Sequence, residues 1–160
     1  MKEILIVFAS MTGNAEDVAA ELHDHLCDRS LPVRLLDLSL HEDITVLEEA
    51  DCILGVVSTW GDGEPPDDAV PFFDNLSQAE PMGLGGMPFA VLGLGDTGYD
   101  QFCECGKILE RELLRHGGKP MLPRVDCDVW YEDEVESWRD QLLALFSSRQ
   151  AVALGADVER

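Results

Sequence analysis

Three short stretches of this 160-residue chain collect residue types that can hold a flat, phosphorylated ligand. In the first, SMTGNAED (10–17), Ser10, Thr12 and Asn14 offer hydroxyl and amide donors around Gly13, whose missing side chain permits close backbone approach. It holds no Lys or Arg, so an anion there must be met by the backbone. A helix starting at Asn14 supplies unpaired N–H groups and about half a positive charge at its tip. The second stretch, STWGDGEPPDD (58–68), leaves Trp60 among polar residues and glycines, and the third, GLGDTGYDQFC (93–103), leaves Tyr99 in the same setting. Two rings on neighbouring loops beside a phosphate loop suit a conjugated ligand stacked between them. Taken singly, the first stretch could merely cap a helix and either aromatic could be an ordinary rim residue. The coincidence of all three carries the argument. The first stretch is neither G-x-G-x-x-G nor a loop with G-K-[ST], which disfavours a dinucleotide or a nucleoside triphosphate.

The elements between these stretches alternate. ILIVF (4–8) is a branched, continuously apolar run, as expected of a strand buried on both faces. Ala15, Val18, Ala19, Leu22 and Leu26 then recur at helical spacing, with Glu16 and Asp17 in the first turn. VRLLDL (33–38), CILGVVS (52–58), FAVLGLG (89–95) and MLPRVD (121–126) read as further strands. Helices are expected at 42–50, from Pro71 through Leu76, and at 104–116 and 134–146. Five strands alternating with helices imply a parallel sheet covered on both sides, one domain over 1–147, with 148–160 as a loose tail. In such a sheet the ligand crevice lies beyond the carboxyl ends of the strands, where all three stretches sit.

Charge narrows the partners. Thirty-two acids against 11 bases leave a net charge of −21, so nucleic acid and anionic membrane would both repel the chain. No Lys or Arg occurs between Arg34 and Lys107, while 35–106 carries 15 Asp and Glu, which favours a protein partner with a basic face. The five cysteines (27, 52, 103, 105, 127) show no metal spacing and an odd count, and read as free thiols in a reducing compartment. With no signal-peptide pattern and no long apolar run, the expected location is the cytoplasm. His23, His25, His41 and His116 stand in no recognisable relation to a nucleophile and read as surface residues.

In order and spacing, SMTGNAE, STWGDGEPPDDAVPFFDNL and GLGDTGYDQFCECGK resemble the three FMN-binding loops of the flavodoxins, over roughly 2–146. GEPPDDAV and PRVDCDVWYEDEVESWRDQL are similar to the FMN domains of sulfite reductase flavoprotein and cytochrome P450 reductase. The resemblance implies a short-chain flavodoxin-like α/β fold: a three-layer αβα sandwich on a five-stranded parallel sheet in the order 2-1-3-4-5. It implies FMN as cofactor, with Ser10, Met11, Thr12, Gly13, Asn14 and Ala15 at the phosphate, and Ser58 and Thr59 at the ribityl chain and ring edge. Trp60 and Tyr99 would sandwich the ring. Gly61 and Asp62, followed by Gly63, would lie by flavin N5, where the Gly61 carbonyl could turn to accept a hydrogen bond. Leu94, Gly95, Asp96, Phe102 and Cys103 would complete the third loop around the ring's pyrimidine edge and outer face. The implied function is a low-potential one-electron carrier, acting as a monomer between a basic-faced flavodoxin or ferredoxin reductase and acceptor redox enzymes in transient, electrostatic complexes. An alternative is a flavin-dependent NAD(P)H:quinone or nitro reductase, which would need a substrate pocket beside the ring.

Overall fold

The computed structural model describes residues 3–60 and 63–158, with side chains through residue 149. Strand β1 (Ile4–Ala9) lies inside a parallel sheet, pairing with β2 (Val33–Asp37) on one side and β3 (Cys52–Ser58) on the other. Beyond β3 lies β4 (Pro88–Leu94), then β5 (Lys119–Pro120), giving the expected order 2-1-3-4-5. A sixth short strand, β6 (Val125–Cys127), pairs in parallel with the end of β4.

Period-two alternation explains why β1 is apolar throughout. Ile4, Ile6 and Phe8 join one hydrophobic cluster with Leu22 and Leu26 of α1 (Asn14–Asp28) and Trp138 and Phe146 of α4 (Glu132–Val158). Leu5, Val7 and Ala9 join the other, with Phe72 of α2 (Val70–Gln78) and Leu109 and Leu113 of α3 (Glu104–Arg115). The sheet is therefore sandwiched between two helical layers, and its core residues hold the strand ends at a common level.

Four expectations are corrected. The helix expected at 42–50 is instead a pair of 3₁₀ turns, Leu38–Leu40 and Ile44–Glu49. Asp37 and Asp43 accept hydrogen bonds from Ser39 N and Thr45 N, and the β-branched run Ile44-Thr45-Val46 disfavours a full α-helix. The strand expected at 121–126 is split into β5 and β6, with Pro123, which has no N–H for a ladder, in the gap. The last helix, expected at 134–146, runs from Glu132 to Val158. His116 is fully buried: its Nε2 donates to the Leu76 carbonyl at 2.9 Å and its Nδ1 accepts from Met82 N–H at 3.0 Å.

Helix α3 reaches the sheet closely because two glycines meet there. A Cβ on Gly106 would lie 3.3 Å from the Gly93 Cα, a backbone atom that cannot swing aside. This contact seats the start of α3 under the loop that follows β4. Gly106→Val should lower stability by about 1–3 kcal/mol through overpacking, read as a fall in the urea midpoint at unchanged slope.

Candidate functional site

The loops that leave the carboxyl ends of β1, β3 and β4 enclose a cleft of about 400 Å³. Its first wall is the turn from β1 into α1. Gly13 precedes the helix in the left-handed region at φ 93°, a conformation that glycine adopts without strain. Ser10 Oγ accepts from Gly13 N–H at 2.9 Å and so folds the loop back on itself. The N-cap residue is Gly13 itself, which has no side chain to cap the helix, and among the described residues no other side chain caps it. The first turn of α1 thus keeps N–H groups without a side-chain cap, next to Met11, Thr12 and Asn14 in the cleft's lining.

The second wall follows β3. Thr59 N–H donates to the Leu94 carbonyl at 3.0 Å, and Trp60 and Glu64 exchange backbone hydrogen bonds of 2.8 and 2.9 Å that close a tight turn. Trp60 is held at the rim of the cleft, 46% exposed. Gly63, at φ 101°, ends that turn; a Cβ there would lie 2.8 Å from Gln101 Cβ, so the glycine lets the second and third loops touch. The Thr59 hydroxyl accepts from Cys105 N–H at 2.9 Å, tying the second loop to the start of α3.

The third wall follows β4. Leu94, Gly95, Asp96, Tyr99, Gln101 and Cys103 line the cleft, with Tyr99 62% exposed. Asp96 is the one charged side chain among the described lining residues, and no Lys or Arg is among them. Cys103 takes φ 52° before α3, and its thiol, turned away from solvent, donates to the Gly93 and Cys127 carbonyls. Burial and then Asp126 push that thiol up to about 12, and burial likewise raises Cys105, so neither is a nucleophile near neutral pH. All five cysteines are free thiols.

Of the residues expected at the site, the cleft gathers Met11, Thr12, Asn14, Ser58, Thr59, Trp60, Leu94, Gly95, Asp96, Tyr99 and Cys103. Ser10 and Gly13 shape the loop beneath it. Ala15 is buried in the core, Gly63 packs on Gln101, and Phe102 is half-buried outside the lining. Gly61 and Asp62 lie outside the described residues. Gln101 and Val129 line the cleft without having been expected there. Gln101 stands within the third stretch but offers no ring or loop signature. Val129 follows β6, and the rule that ligands gather beyond strand ends applies to that fifth sheet position as well.

The uncapped helix tip, the absence of cations from the lining and two exposed rings on facing loops fit a phosphorylated conjugated ring. Among the described residues no group of His, Cys, Asp or Glu is arranged to hold a metal ion, and no helix is long and apolar enough to cross a membrane. Comparison with known proteins agrees with the architecture. The flavodoxin family model matches residues 6–138. The sulfite reductase [NADPH] flavoprotein alpha-component of Zymomonas mobilis is 39% identical over 97% of this chain, and that of Vibrio vulnificus 35% over 98%. The chain spans about a quarter of the length of these relatives. Flavodoxin from Streptococcus pneumoniae TIGR4 superposes with a TM-score of 0.76 at 34% identity, covering 89% of this chain and 98% of that one. For oxidised flavodoxin 2 of Bacillus cereus the values are 0.76 and 31%, covering 91% and 99%. With the family match spanning most of the sheet and all three walls of the cleft, the chain belongs to the flavodoxin family.

Proposed function

We propose that this protein binds FMN in the cleft and carries electrons one at a time at low potential between other redox proteins. The observation that carries the reading is the uncapped N-terminus of α1, which faces a cleft flanked by Trp60 and Tyr99. When bound, FMN supplies a ring that takes up and releases single electrons. The α1 N–H groups, with Ser10, Thr12 and Asn14, would hold its phosphate; Ser58 and Thr59 would meet the ribityl chain; Trp60 and Tyr99 would cover the ring faces and exclude water. Gly61 and Asp62 are proposed beside the ring's N5, with Gly95, Asp96 and Cys103 along its pyrimidine edge.

The acids give this carrier its low potential. A carboxylate about 10 Å from a reduced, anionic ring repels it by roughly 0.4–1.7 kcal/mol for dielectrics between about 80 and 20. That corresponds to about 20–70 mV for one electron, less after screening by salt. Asp96 lines the cleft, while Glu64, Asp67, Asp68 and Asp100 are exposed on its loops. The same acids would draw in a lysine- and arginine-rich partner and keep two copies of this chain apart, so the working form is a monomer in transient complexes. Because the relatives are named as NADPH-dependent flavoproteins, a separate NAD(P)H-fed reductase is the donor class we infer, with acceptor redox enzymes downstream. Five free thiols support a cytoplasmic setting.

Titration of the flavin-free protein with FMN, followed by loss of FMN fluorescence, should give one site per chain. A protein that takes up no FMN would overturn the reading, and rapid reduction of the bound flavin by NADPH alone would favour an NAD(P)H-dependent reductase instead. Trp60→Ala and Tyr99→Ala should each weaken binding by about 5- to 150-fold, the loss of roughly 1–3 kcal/mol typical of a base stacked on an aromatic ring. Asp96→Asn should raise the more negative midpoint potential, by up to about 70 mV at low salt, in a stepwise reductive titration. Electron transfer from a basic reductase should slow steadily as ionic strength rises; a flat salt profile in stopped-flow measurements would remove the electrostatic docking.

A further inference from the structure

The third loop is joined to the chain just beyond β6 along a seam that lies outside the expected site. Gly95 N–H donates to the Cys127 carbonyl at 2.9 Å, and the Cys103 thiol donates to the same carbonyl at 3.4 Å. Between these two bonds, the Asp128 carboxylate accepts three more. Its Oδ1 takes Thr97 N–H at 3.1 Å and Val129 N–H at 2.8 Å, and its Oδ2 takes the Thr97 hydroxyl at 2.5 Å. Thr97 precedes Tyr99 by two residues, and the intervening turn is closed by Gly98 N–H on Asp96 Oδ1 and Tyr99 N–H on the Asp96 carbonyl. Tyr99 is 62% exposed, so burial does not hold it in place. The polar seam must do so. The Thr97 hydroxyl, followed by the Val129 and Thr97 N–H groups, holds the Asp128 carboxyl below the usual carboxylate range, which keeps it a charged acceptor at neutral pH.

We propose that Asp128 is a positioning residue for the flavin site, pinning Thr97 to the end of β6 so that the loop bearing Tyr99 stands ready as a wall of the cleft. Through Val129 N–H it also fixes the start of the segment whose Val129 side lines the same cleft. One carboxylate thus sets two wall pieces that come from different loops. A wall ordered in advance spares the ligand the cost of ordering it, so affinity depends on a residue outside the lining. The geometry stands without the cofactor; its consequence for binding rests on the FMN reading above.

Two measurements on Asp128→Ala, Asp128→Asn, Thr97→Val and Thr97→Ser test this. Amide hydrogen exchange of the flavin-free protein reads the loop, and fluorescence titration reads the dissociation constant for FMN. In Asp128→Ala, exchange at residues 97–99 should quicken and the FMN dissociation constant should rise, each about tenfold, as loss of a charge-assisted hydrogen bond implies. Asp128→Asn keeps an oxygen for the two N–H groups and Thr97→Ser keeps the hydroxyl, so both should stay close to wild type, while Thr97→Val should fall between. Unchanged exchange in Asp128→Ala overturns the proposal, as does faster exchange with unchanged FMN affinity. A fall in urea midpoint that matches the loss of affinity across all four variants would mark a merely structural role and also overturn it. If the wild-type protein takes up no FMN, the cofactor reading fails and the flavin role of Asp128 with it, whereas the exchange data still decide whether Asp128 pins the loop.

Discussion

On the proposed reading, the tip of α1 has to attract an anion within a molecule whose charge repels one, and that constraint organises the rest of the site. Half a positive charge about 4 Å from a phosphate oxygen, in an effective dielectric near 20, is worth about 2 kcal/mol per unit of negative charge. Carboxylates more than about 10 Å away are largely screened at physiological salt. A few short-range donors therefore outweigh many distant acids, provided that the donors are free and aimed. Uncapped donors are found at one turn: Gly13, at φ 93° in the N-cap position, has no side chain to cap the helix, and Ser10 Oγ accepts from Gly13 N–H. The turn can be this exposed because β1, which feeds it, is buried on both faces and cannot shift.

The other two walls depend on close approach between backbones. Gly106 against Gly93 brings the start of α3 down onto β4, and Gly63 against Gln101 brings the second loop to the third. Thr59 then bonds Cys105 N–H, so the residue before Trp60 is fixed to the same helix start that ends the Tyr99 loop. The two rings are thereby attached to one rigid junction. Each wall is held by backbone partners, which leaves the side chains at the rim free to meet a ligand.

What could be read from the sequence follows from where burial is complete. ILIVF, CILGVVS and FAVLGLG lie in the middle of the sheet, where both faces demand apolar residues, and their strands match within a residue or so. The edges carried weaker signals. At 42–50, Asp43 and its neighbours won a local hydrogen bond that apolar spacing does not report, and at 121–126 Pro123 interrupts a ladder whose apolar content looked sufficient. His116 looked like a surface residue because its partners, Leu76 and Met82, are 34 and more positions away. The side chain of Ala15 is buried in the core and Phe102 is half-buried outside the lining, since a motif specifies a backbone path and only packing decides which side chain faces the cleft. Val129 and Asp128 were not expected at the site for the converse reason: they follow a fourth strand end, β6, whose loop has no glycine and was not read as a wall of the crevice.

The acids that make the chain a poor anion binder overall fit an electron carrier once distance is considered. Among the described residues only Asp96 reaches the lining, while Glu64, Asp67, Asp68 and Asp100 are exposed on the loops around it. In the proposed complex, a phosphate on the α1 tip would be sheltered from them by short-range donors, whereas a ring between the second and third loops would have no such donors on its faces and would feel the local field. A partner approaching those loops feels it too, with opposite sign if its face is basic. One distribution of charge can therefore leave the cofactor's anchor intact, make its ring harder to reduce, and favour the encounter through which the electron is passed on. The three effects separate only because the anchor sits at a helix end and the ring at loop tips, which is the arrangement that the order 2-1-3-4-5 imposes on the ends of β1, β3 and β4.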